Sequence, residues 1–281
     1  MTPSRPTPSS PTPSGPPAGS PATNPRAPLS PREVDFSLRR DDGLTLRGRF
    51  LPGGGMLIVF MSGFRSVHYG DKARAIAAWA AENGHACLRY DHIGHGDSDG
   101  DFEDYRVSRG MADNAAAIQA VRGAGQPLLV VGSSMGGWMA LESARTGLID
   151  PVALLLIAPP TDFFSRRMAT MPPELARQFK AEGFLEMDDR YRPGTRYRLT
   201  QGFLLDAIMM ETPKGRLILP CPVTIVHGSE DESVPIATGR SLHQQIGPDQ
   251  CRLVEIPGGD HRLGAHMPVI LDELARLVPA A

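Results

Sequence analysis

Two serines lie at the centre of a Gly-x-Ser-x-Gly pattern, which is typical of a serine nucleophile. Ser98 lies in GDSDG, residues 96–100, and Ser134 lies in GSSMG, residues 132–136. A serine hydroxyl becomes nucleophilic only when a base takes its proton and nearby N–H groups stabilise the oxyanion that forms. The residues around each serine therefore decide which of the two could do this chemistry.

Ser134 lies between an apolar run and a helical pattern. LLVVG precedes it and MGGWMALESA follows it, so the sequence predicts a sharp turn from a strand into a helix. Small residues at 132, 136 and 137 would let this helix approach the strand closely. The Met135 amide would lie at the helix N-terminus, where unpaired N–H groups favour a developing anion. We therefore predict Ser134 as the nucleophile and Met135 as an oxyanion donor.

Ser98 lacks these neighbours. It lies in DHIGHGDSDGDFED, and no apolar helical pattern follows directly. The carboxylates of Asp97, Asp99 and Asp101 would disfavour an oxyanion beside it. The sequence predicts a turn here, in which Asp and Ser side chains bond to the backbone.

The same stretch contains residue types that bind metals. His92 and His95 are followed by Asp97, but H-x-x-H with this carboxylate is not a standard zinc signature. We therefore predict no metal site here, and the chemistry of an activated serine needs no organic cofactor.

A nucleophilic serine needs a base and a carboxylate that orients the base. Where the serine lies on a strand-to-helix turn of this kind, the three follow in the order Ser, acid, His along the chain. PVTIVHGSEDESVP places Asp231 in a loop after an apolar run, and VEIPGGDHRLG places His261 after the next run. We predict that His261 takes the Ser134 proton through Nε2, while Asp231 accepts a hydrogen bond from Nδ1–H. Three rival acids lie nearby: Glu230, Glu232 and Asp260.

A second oxyanion donor is expected in the loop after the apolar run at residues 56–61. VFMSGFRS, residues 59–66, fits this place because Gly63 allows a tight turn. We predict that the Phe64 amide is this donor, although an ordinary strand-end turn is the alternative.

A regular series of strands and helices must position these residues. VDFSL (34–38) and LTLRGRF (44–50) alternate apolar and polar residues, which predicts an antiparallel hairpin. Short apolar strands then alternate with helical stretches. The strands are expected at 56–61, 85–90, 127–131, 152–158, 222–227 and 251–256, and the helices at about 71–82, 109–121, 136–145 and from 268. The pattern predicts an α/β fold, with a mostly parallel sheet and helices on both faces.

Residues 159–220 interrupt this series. They are rich in Pro, Met, Phe and Arg, with helical stretches near 174–182 and 198–210. We expect a cap over the strand ends, where such sheets bind ligands, although a crossover without function is the alternative. Its apolar residues could line an acyl pocket or merely seat the cap: Phe163, Phe164, Met168, Met171, Phe184, Met209 and Met210.

Composition sets the outer limits. Residues 1–31 are a Pro-rich tail, expected to be disordered or extended, and residues 32–281 are expected to form one domain. The net charge of −2 gives no general reason to bind nucleic acid, and no apolar run is long enough to span a membrane. The three cysteines are an odd number without C-x-x-C spacing, which favours reduced residues in a reducing compartment.

Several motifs together resemble the α/β-hydrolase superfamily. They are FMSGF, GHACLRYDHIGHGDSDG, VGSSMGGWMAL, VHGSEDESVP and GGDH. More narrowly, residues from about 44 to 270 resemble the mitochondrial palmitoyl-protein thioesterases of this fold, also known as acyl-glucuronide esterases, and their bacterial relatives. The resemblance implies an α/β-hydrolase fold with a helical cap between strands 6 and 7. It also implies Ser134, Asp231 and His261 as charge-relay residues.

The expected activity is hydrolysis of an acyl ester or thioester, on a small molecule or an acylated protein. An acyltransferase with the same triad and a hydrolase-fold binding protein without turnover are the alternatives. Composition favours a cytoplasmic protein of bacterial type, with a mitochondrial location as the alternative. The sequence does not indicate an oligomeric state.

Overall fold

The computed structural model describes residues 26, 30, 32–189 and 194–278. Apart from residues 26 and 30, the predicted tail lies outside the described residues. Ten strands and eight α-helices follow one another along the described chain. They are β1 (Val34–Arg39), β2 (Thr45–Leu51), β3 (Leu57–Met61), α1 (Asp71–Glu82), β4 (Ala86–Tyr90), α2 (Val107–Val121), β5 (Leu128–Ser133), α3 (Met135–Arg145), β6 (Ala153–Ile157), α4 (Phe163–Ala169), α5 (Pro173–Glu182), β7 (Phe184–Asp188), β8 (Arg196–Thr200), α6 (Gln201–Met209), β9 (Val223–Gly228), α7 (Ile236–Ile246), β10 (Cys251–Ile256) and α8 (Met267–Leu277).

Eight of these strands form one sheet, in the order β1-β2-β4-β3-β5-β6-β9-β10. β2 pairs antiparallel with both β1 and β4, whereas the other neighbours in this sheet are parallel. Strands β3 to β6 and β9 are buried along their whole length, as expected for apolar strands covered on both faces. The predicted hairpin and mostly parallel sheet are confirmed.

The core lies on both sides of this sheet, because side chains alternate along each strand. Leu57 and Val59 of β3 pack in a cluster with α2, α3 and α7, whereas Ile58 and Phe60 pack with α1 and α8. Burying one such side chain contributes roughly 1.5–3 kcal/mol. Helices therefore cover both faces and hold the parallel strands in register.

The insertion, residues 159–220, contains α4, α5, β7, β8 and α6. The prediction of a helical cap was incomplete, because β7 and β8 form a separate antiparallel pair. The helix expected from residue 198 begins only at Gln201. Its start is set by Thr200, whose Oγ1 accepts a hydrogen bond from Phe203 N at 3.2 Å, while the residues before it alternate as a strand.

The insertion is joined to the core by a third apolar cluster. Phe164, Phe179 and Phe203 of the insertion belong to it, together with Tyr105 and Trp138 of the main domain. Neither of these main-domain aromatics was predicted to contact the insertion. No helix among the described residues is long and apolar enough to cross a membrane.

All three cysteines are free and buried. Cys87 and Cys251 lie in strands, whereas Cys221 lies just before β9. Burial raises the pKa of the Cys87 thiol to about 12, so this thiol is an unreactive packing group.

Candidate active site

A sharp turn between β5 and α3 carries Ser134. Its backbone has φ 53° and ψ −124°, a combination that non-glycine residues rarely adopt. The strand and helix are very close here. A Cβ on Gly136 would lie 2.1 Å from the Met61 carbonyl oxygen, and a Cβ on Gly132 would lie 2.5 Å from Gly137 Cα. The glycines are therefore required by close backbone contact, as the sequence predicted.

The structure brings Ser134, His261 and Asp231 together. His261 Nε2 lies 3.0 Å from Ser134 Oγ, and His261 Nδ1 lies 2.7 Å from Asp231 Oδ2. The His261 side chain is 15% exposed and that of Asp231 is fully buried. A continuous line of hydrogen-bonding groups thus runs from the partly exposed serine to a buried carboxylate.

A tight turn after β9 fixes the Asp231 carboxylate. Its Oδ1 accepts hydrogen bonds from Ser233 N at 2.9 Å and Val234 N at 2.7 Å. Burial raises the pKa of Asp231, but hydrogen bonds from His227, His261 and the Val234 amide together lower it well below its usual value. The carboxylate is therefore ionised at neutral pH.

The structure adds His227 to this group, which the sequence analysis had treated only as the end of a strand. Its ring is fully buried, with Nε2 2.8 Å from the Val234 carbonyl oxygen and 3.4 Å from Asp231 Oδ2. His227 thereby supports the turn that holds Asp231. Its position directly before Gly228, at the end of an apolar strand, was the available signal.

The rival acids lie elsewhere. Glu230 and Glu232 are exposed. Asp260 is also exposed, and its Oδ1 accepts a hydrogen bond from Leu263 N at 2.8 Å. Of these four carboxylates, Asp231 is the one that faces the His261 ring.

The turn after β3 lies against the serine. A Cβ on Gly63 would lie 3.2 Å from Ser134 Cβ, and Ser66 N donates to the Gly63 carbonyl at 3.0 Å. The predicted donors Phe64 and Met135 lie in this turn and at the start of α3. Phe64 and Met135 therefore lie on either side of Ser134 along the two turns that meet at the serine, and their role as oxyanion donors stays a prediction.

Ser98 makes the contacts of a structural turn. Its Oγ donates to the Asp91 carbonyl at 2.6 Å and accepts from Arg47 N at 2.8 Å. Asp99 Oδ2 accepts from Thr45 N at 3.0 Å in the same region. The Ser98 hydroxyl is thus engaged with the backbone both as donor and as acceptor.

His92 and His95 are both buried, and their ring centroids lie 5.9 Å apart. Burial, together with the neighbouring His95, lowers the pKa of His92 to about 3, so its imidazole is neutral. Neither belongs to the group of possible metal ligands found among the described residues, which is His68, Asp91 and Asp97. Asp91 there already accepts hydrogen bonds from His68 Nδ1 and Asp97 N, each at 2.8 Å. The Asp91 carboxylate thus supports the turn that contains Asp97.

The predicted pocket residues divide into two sets. Five of the seven lie in the apolar cluster that joins the insertion to α3: Phe163, Phe164, Met168, Met171 and Met210. Met209 is instead 78% exposed, and Phe184 packs under the Arg198 guanidinium, 4.5 Å from its ring centroid. Since Met135 belongs to the same cluster, apolar side chains reach the residue next to the serine.

The sequence is similar to that of known hydrolases. The model of the alpha/beta hydrolase family matches residues 50–276. Human palmitoyl-protein thioesterase ABHD10, a mitochondrial protein, is 29% identical over 229 residues, which cover 80% of this chain and 73% of the relative.

Solved structures show the same architecture. Alpha/beta hydrolase domain-containing protein 10 from mouse has a TM-score of 0.77 at 26% identity, over 87% of this chain and 98% of that chain. A putative hydrolase from Agrobacterium vitis S4 has a TM-score of 0.82 at 24% identity, over 88% of this chain and 99% of that chain, a likeness that shows the fold.

Proposed function

The chain belongs to the alpha/beta hydrolase family, and from that premise we propose that it is a serine hydrolase of acyl esters or thioesters. The observation that carries the proposal is the unbroken hydrogen-bonded line from Ser134 through His261 to Asp231, with distances of 3.0 Å and 2.7 Å. Distances in this range allow direct proton transfer from the serine to the imidazole.

The first half of the reaction forms an acyl-enzyme. His261 Nε2 takes the Ser134 proton as Oγ attacks the carbonyl carbon of the substrate. The buried Asp231 carboxylate stabilises the imidazolium and keeps Nδ1–H directed towards itself. Negative charge builds on the carbonyl oxygen, where the Phe64 and Met135 N–H groups would stabilise it. The imidazolium then protonates the departing alcohol or thiol.

The second half releases the acid. Water attacks the acyl carbon, gives its proton to His261 Nε2, and forms a second oxyanion in the same position. Collapse of that intermediate breaks the bond to Ser134 Oγ, which recovers its proton from the imidazolium. Each step uses groups of this chain and water alone.

The substrate class rests on the insertion and on the relatives. Apolar Phe and Met side chains extend from the insertion to Met135, which suits an acyl chain. The name of the ABHD10 relatives, palmitoyl-protein thioesterase, supports a long chain and a thioester bond. We therefore place acylated proteins and small acyl esters together as the candidate substrates.

A panel of p-nitrophenyl esters and acyl thioesters of increasing chain length tests this function. We expect the wild-type protein to hydrolyse them with a preference for longer chains, and Ser134→Ala to lose at least about 10³-fold in kcat. Activity that survives in Ser134→Ala would refute the function. An unchanged kcat/KM along the series would refute the acyl site but not the nucleophile.

A further inference from the structure

The turn next to Ser134 contains an unexpected residue. Arg65 has φ 54°, in the left-handed region, and it occupies the third position of the turn closed by Ser66 N and the Gly63 carbonyl. Glycine or asparagine is usual at such a position, because a Cβ is disfavoured there. An unfavourable backbone conformation persists only where surrounding contacts impose it. The Arg65 side chain supplies such contacts.

The Arg65 guanidinium is held on three sides. Its Nε lies 3.1 Å from Asp189 Oδ2, and Asp189 is buried. Its carbon lies 4.6 Å from the Tyr197 ring centroid and 5.0 Å from the Phe102 ring centroid. A planar guanidinium can stack on aromatic rings while it donates from its edge, which an ammonium group cannot do.

These partners come from both parts of the molecule. Tyr197 lies in β8 and Asp189 directly follows β7, so both belong to the hairpin of the insertion, whereas Phe102 lies in the main domain. The hairpin is therefore attached to the turn beside the nucleophile.

The neighbouring residue strengthens this attachment. The Phe64 ring lies 5.2 Å from Phe102, 5.6 Å from Tyr197 and 5.5 Å from Phe203, measured between centroids. Both central residues of the turn thus pack on the same aromatic group, and a Cβ on Gly63, at the start of the turn, would lie 3.2 Å from Ser134 Cβ.

We propose that Arg65 is a positioning residue, through which the β7–β8 hairpin fixes the turn that presents the Phe64 N–H to the oxyanion. The hairpin then helps to position the oxyanion site through Arg65. The inference rests on the proposed function, because it assigns the Phe64 amide an oxyanion. Arg65 acts through the Phe64 N–H, which stabilises the oxyanion of the transition state, so its loss should lower kcat and leave KM nearly unchanged.

Arg65→Gly and Arg65→Ala separate the side chain from the backbone. Glycine adopts the left-handed conformation freely, whereas alanine keeps the unfavourable one, and both lack the guanidinium. With p-nitrophenyl butyrate we expect both variants to lose about 10- to 100-fold in kcat, somewhat less than the loss of a whole oxyanion donor. Wild-type kcat in Arg65→Gly would overturn the proposal, and so would a rise in KM at constant kcat.

Substitution of the residues that hold Arg65 should also lower kcat. We expect Asp189→Asn and Tyr197→Leu to lower kcat, and Tyr197→Phe to keep it, because phenylalanine retains the stacking ring. Arg65→Ala combined with Asp189→Asn should lose no more than Arg65→Ala alone. The control is Arg196→Ala in the same hairpin, since Arg196 pairs with Glu186 at 2.6 Å and Asp188 at 3.2 Å, both in β7.

A trifluoromethyl ketone, which forms an oxyanion at the nucleophile, reports on the site directly. Its affinity should fall in the Arg65 and Asp189 variants by the same factor as kcat/KM, and an unchanged affinity would overturn the proposal. A cooperative thermal unfolding transition checks that each variant is folded. If an Arg65 variant does not fold, Asp189→Asn tests the proposal in its place. Ser134→Ala, measured alongside, separates the two hypotheses. If Ser134→Ala stays active, the proposed function fails, whereas if it is inactive and the Arg65 variants are fully active, this inference alone fails.

Discussion

The Asp231 carboxylate has the most closely defined environment of the three side chains. It is fully buried, and it accepts hydrogen bonds from two backbone amides as well as from His261. This arrangement holds a negative charge in one place, at the end of the imidazole away from Ser134. The charge can stabilise an imidazolium without taking its proton.

Asp231→Asn tests this role. The amide is close in shape but uncharged, and it can present an N–H to Nδ1, so the imidazole would adopt the wrong tautomer. We expect kcat to fall by about 10³- to 10⁴-fold with KM changed little, measured on a short p-nitrophenyl ester. Glu230→Gln, one residue away and exposed, is the control and should keep full activity. An Asp231→Asn enzyme as active as this control would rule out Asp231 as the triad acid.

The lowered pKa of Asp231 also affects stability. Because its pKa is lower in the folded than in the unfolded protein, its ionised form stabilises the fold above about pH 4, and this contribution is lost as pH falls further. The difference in unfolding free energy between wild type and Asp231→Asn should be constant from pH 8 to pH 5 and shrink below pH 4. Urea unfolding across this range measures it, and a difference that grows towards low pH would contradict the assignment.

Ser98→Ala gives the opposite pattern to Ser134→Ala. The Ser98 hydroxyl joins the Asp91 carbonyl to Arg47 N, so its loss should cost about 1–2 kcal/mol of stability. Ester hydrolysis by the folded variant should stay within about two-fold of wild type. Urea unfolding and initial rates measure the two effects, and a catalytic loss comparable to that of Ser134→Ala would reverse our choice of serine.

Strand β3 and helix α3 approach each other closely beside the site. A Cβ on Gly136 would lie 2.1 Å from the Met61 carbonyl, so either the strand or the helix would have to move. Such a movement would also displace Ser134 and the turn that contains Phe64. The close packing of β3 against α3 is therefore required for the geometry of the site.

Gly136→Ala should therefore destabilise the fold by about 3 kcal/mol and abolish activity in the protein that remains folded. Gly54→Ala is the matched control, because a Cβ there meets no atom within 4 Å. It should change the unfolding free energy by less than about 0.5 kcal/mol. Equal stability of the two variants in urea would contradict the close approach described here.

The elements that could be predicted are those that a local sequence pattern marks. The turn at Ser134 is encoded within about ten residues, as an apolar run followed by small residues, so its position could be derived from the sequence. The β7–β8 hairpin was missed because its strands are short and only partly buried, which leaves little periodicity to detect. Helix α6 was predicted to begin too early for the same reason.

The site as a whole depends on contacts between distant residues. His261 and Ser134 are 127 positions apart, and Arg65 and Asp189 are 124 apart. The first pair could be anticipated, because the order of serine, acid and histidine along the strands limits where a base can lie. The second could not, since nothing near Arg65 in the sequence indicates a partner in the insertion. The left-handed backbone of Arg65, which is seen in the structure, is the feature that distinguishes this residue.

The whole molecule joins a sheet, which carries the three triad candidates after the ends of its strands, to an insertion attached beside them. In this account, one serine becomes nucleophilic because elements from several parts of the chain converge on it. The reactivity of Ser134 in the intact protein therefore reports on all of these contacts together.

Labelling of the folded protein with a fluorophosphonate, followed by mass spectrometry of its peptides, tests that reactivity most directly. We predict a single adduct on Ser134, formed much more slowly in His261→Ala and absent after unfolding in urea. An adduct on Ser98, or no adduct at all on folded wild-type protein, would show that Ser134 is not the nucleophile.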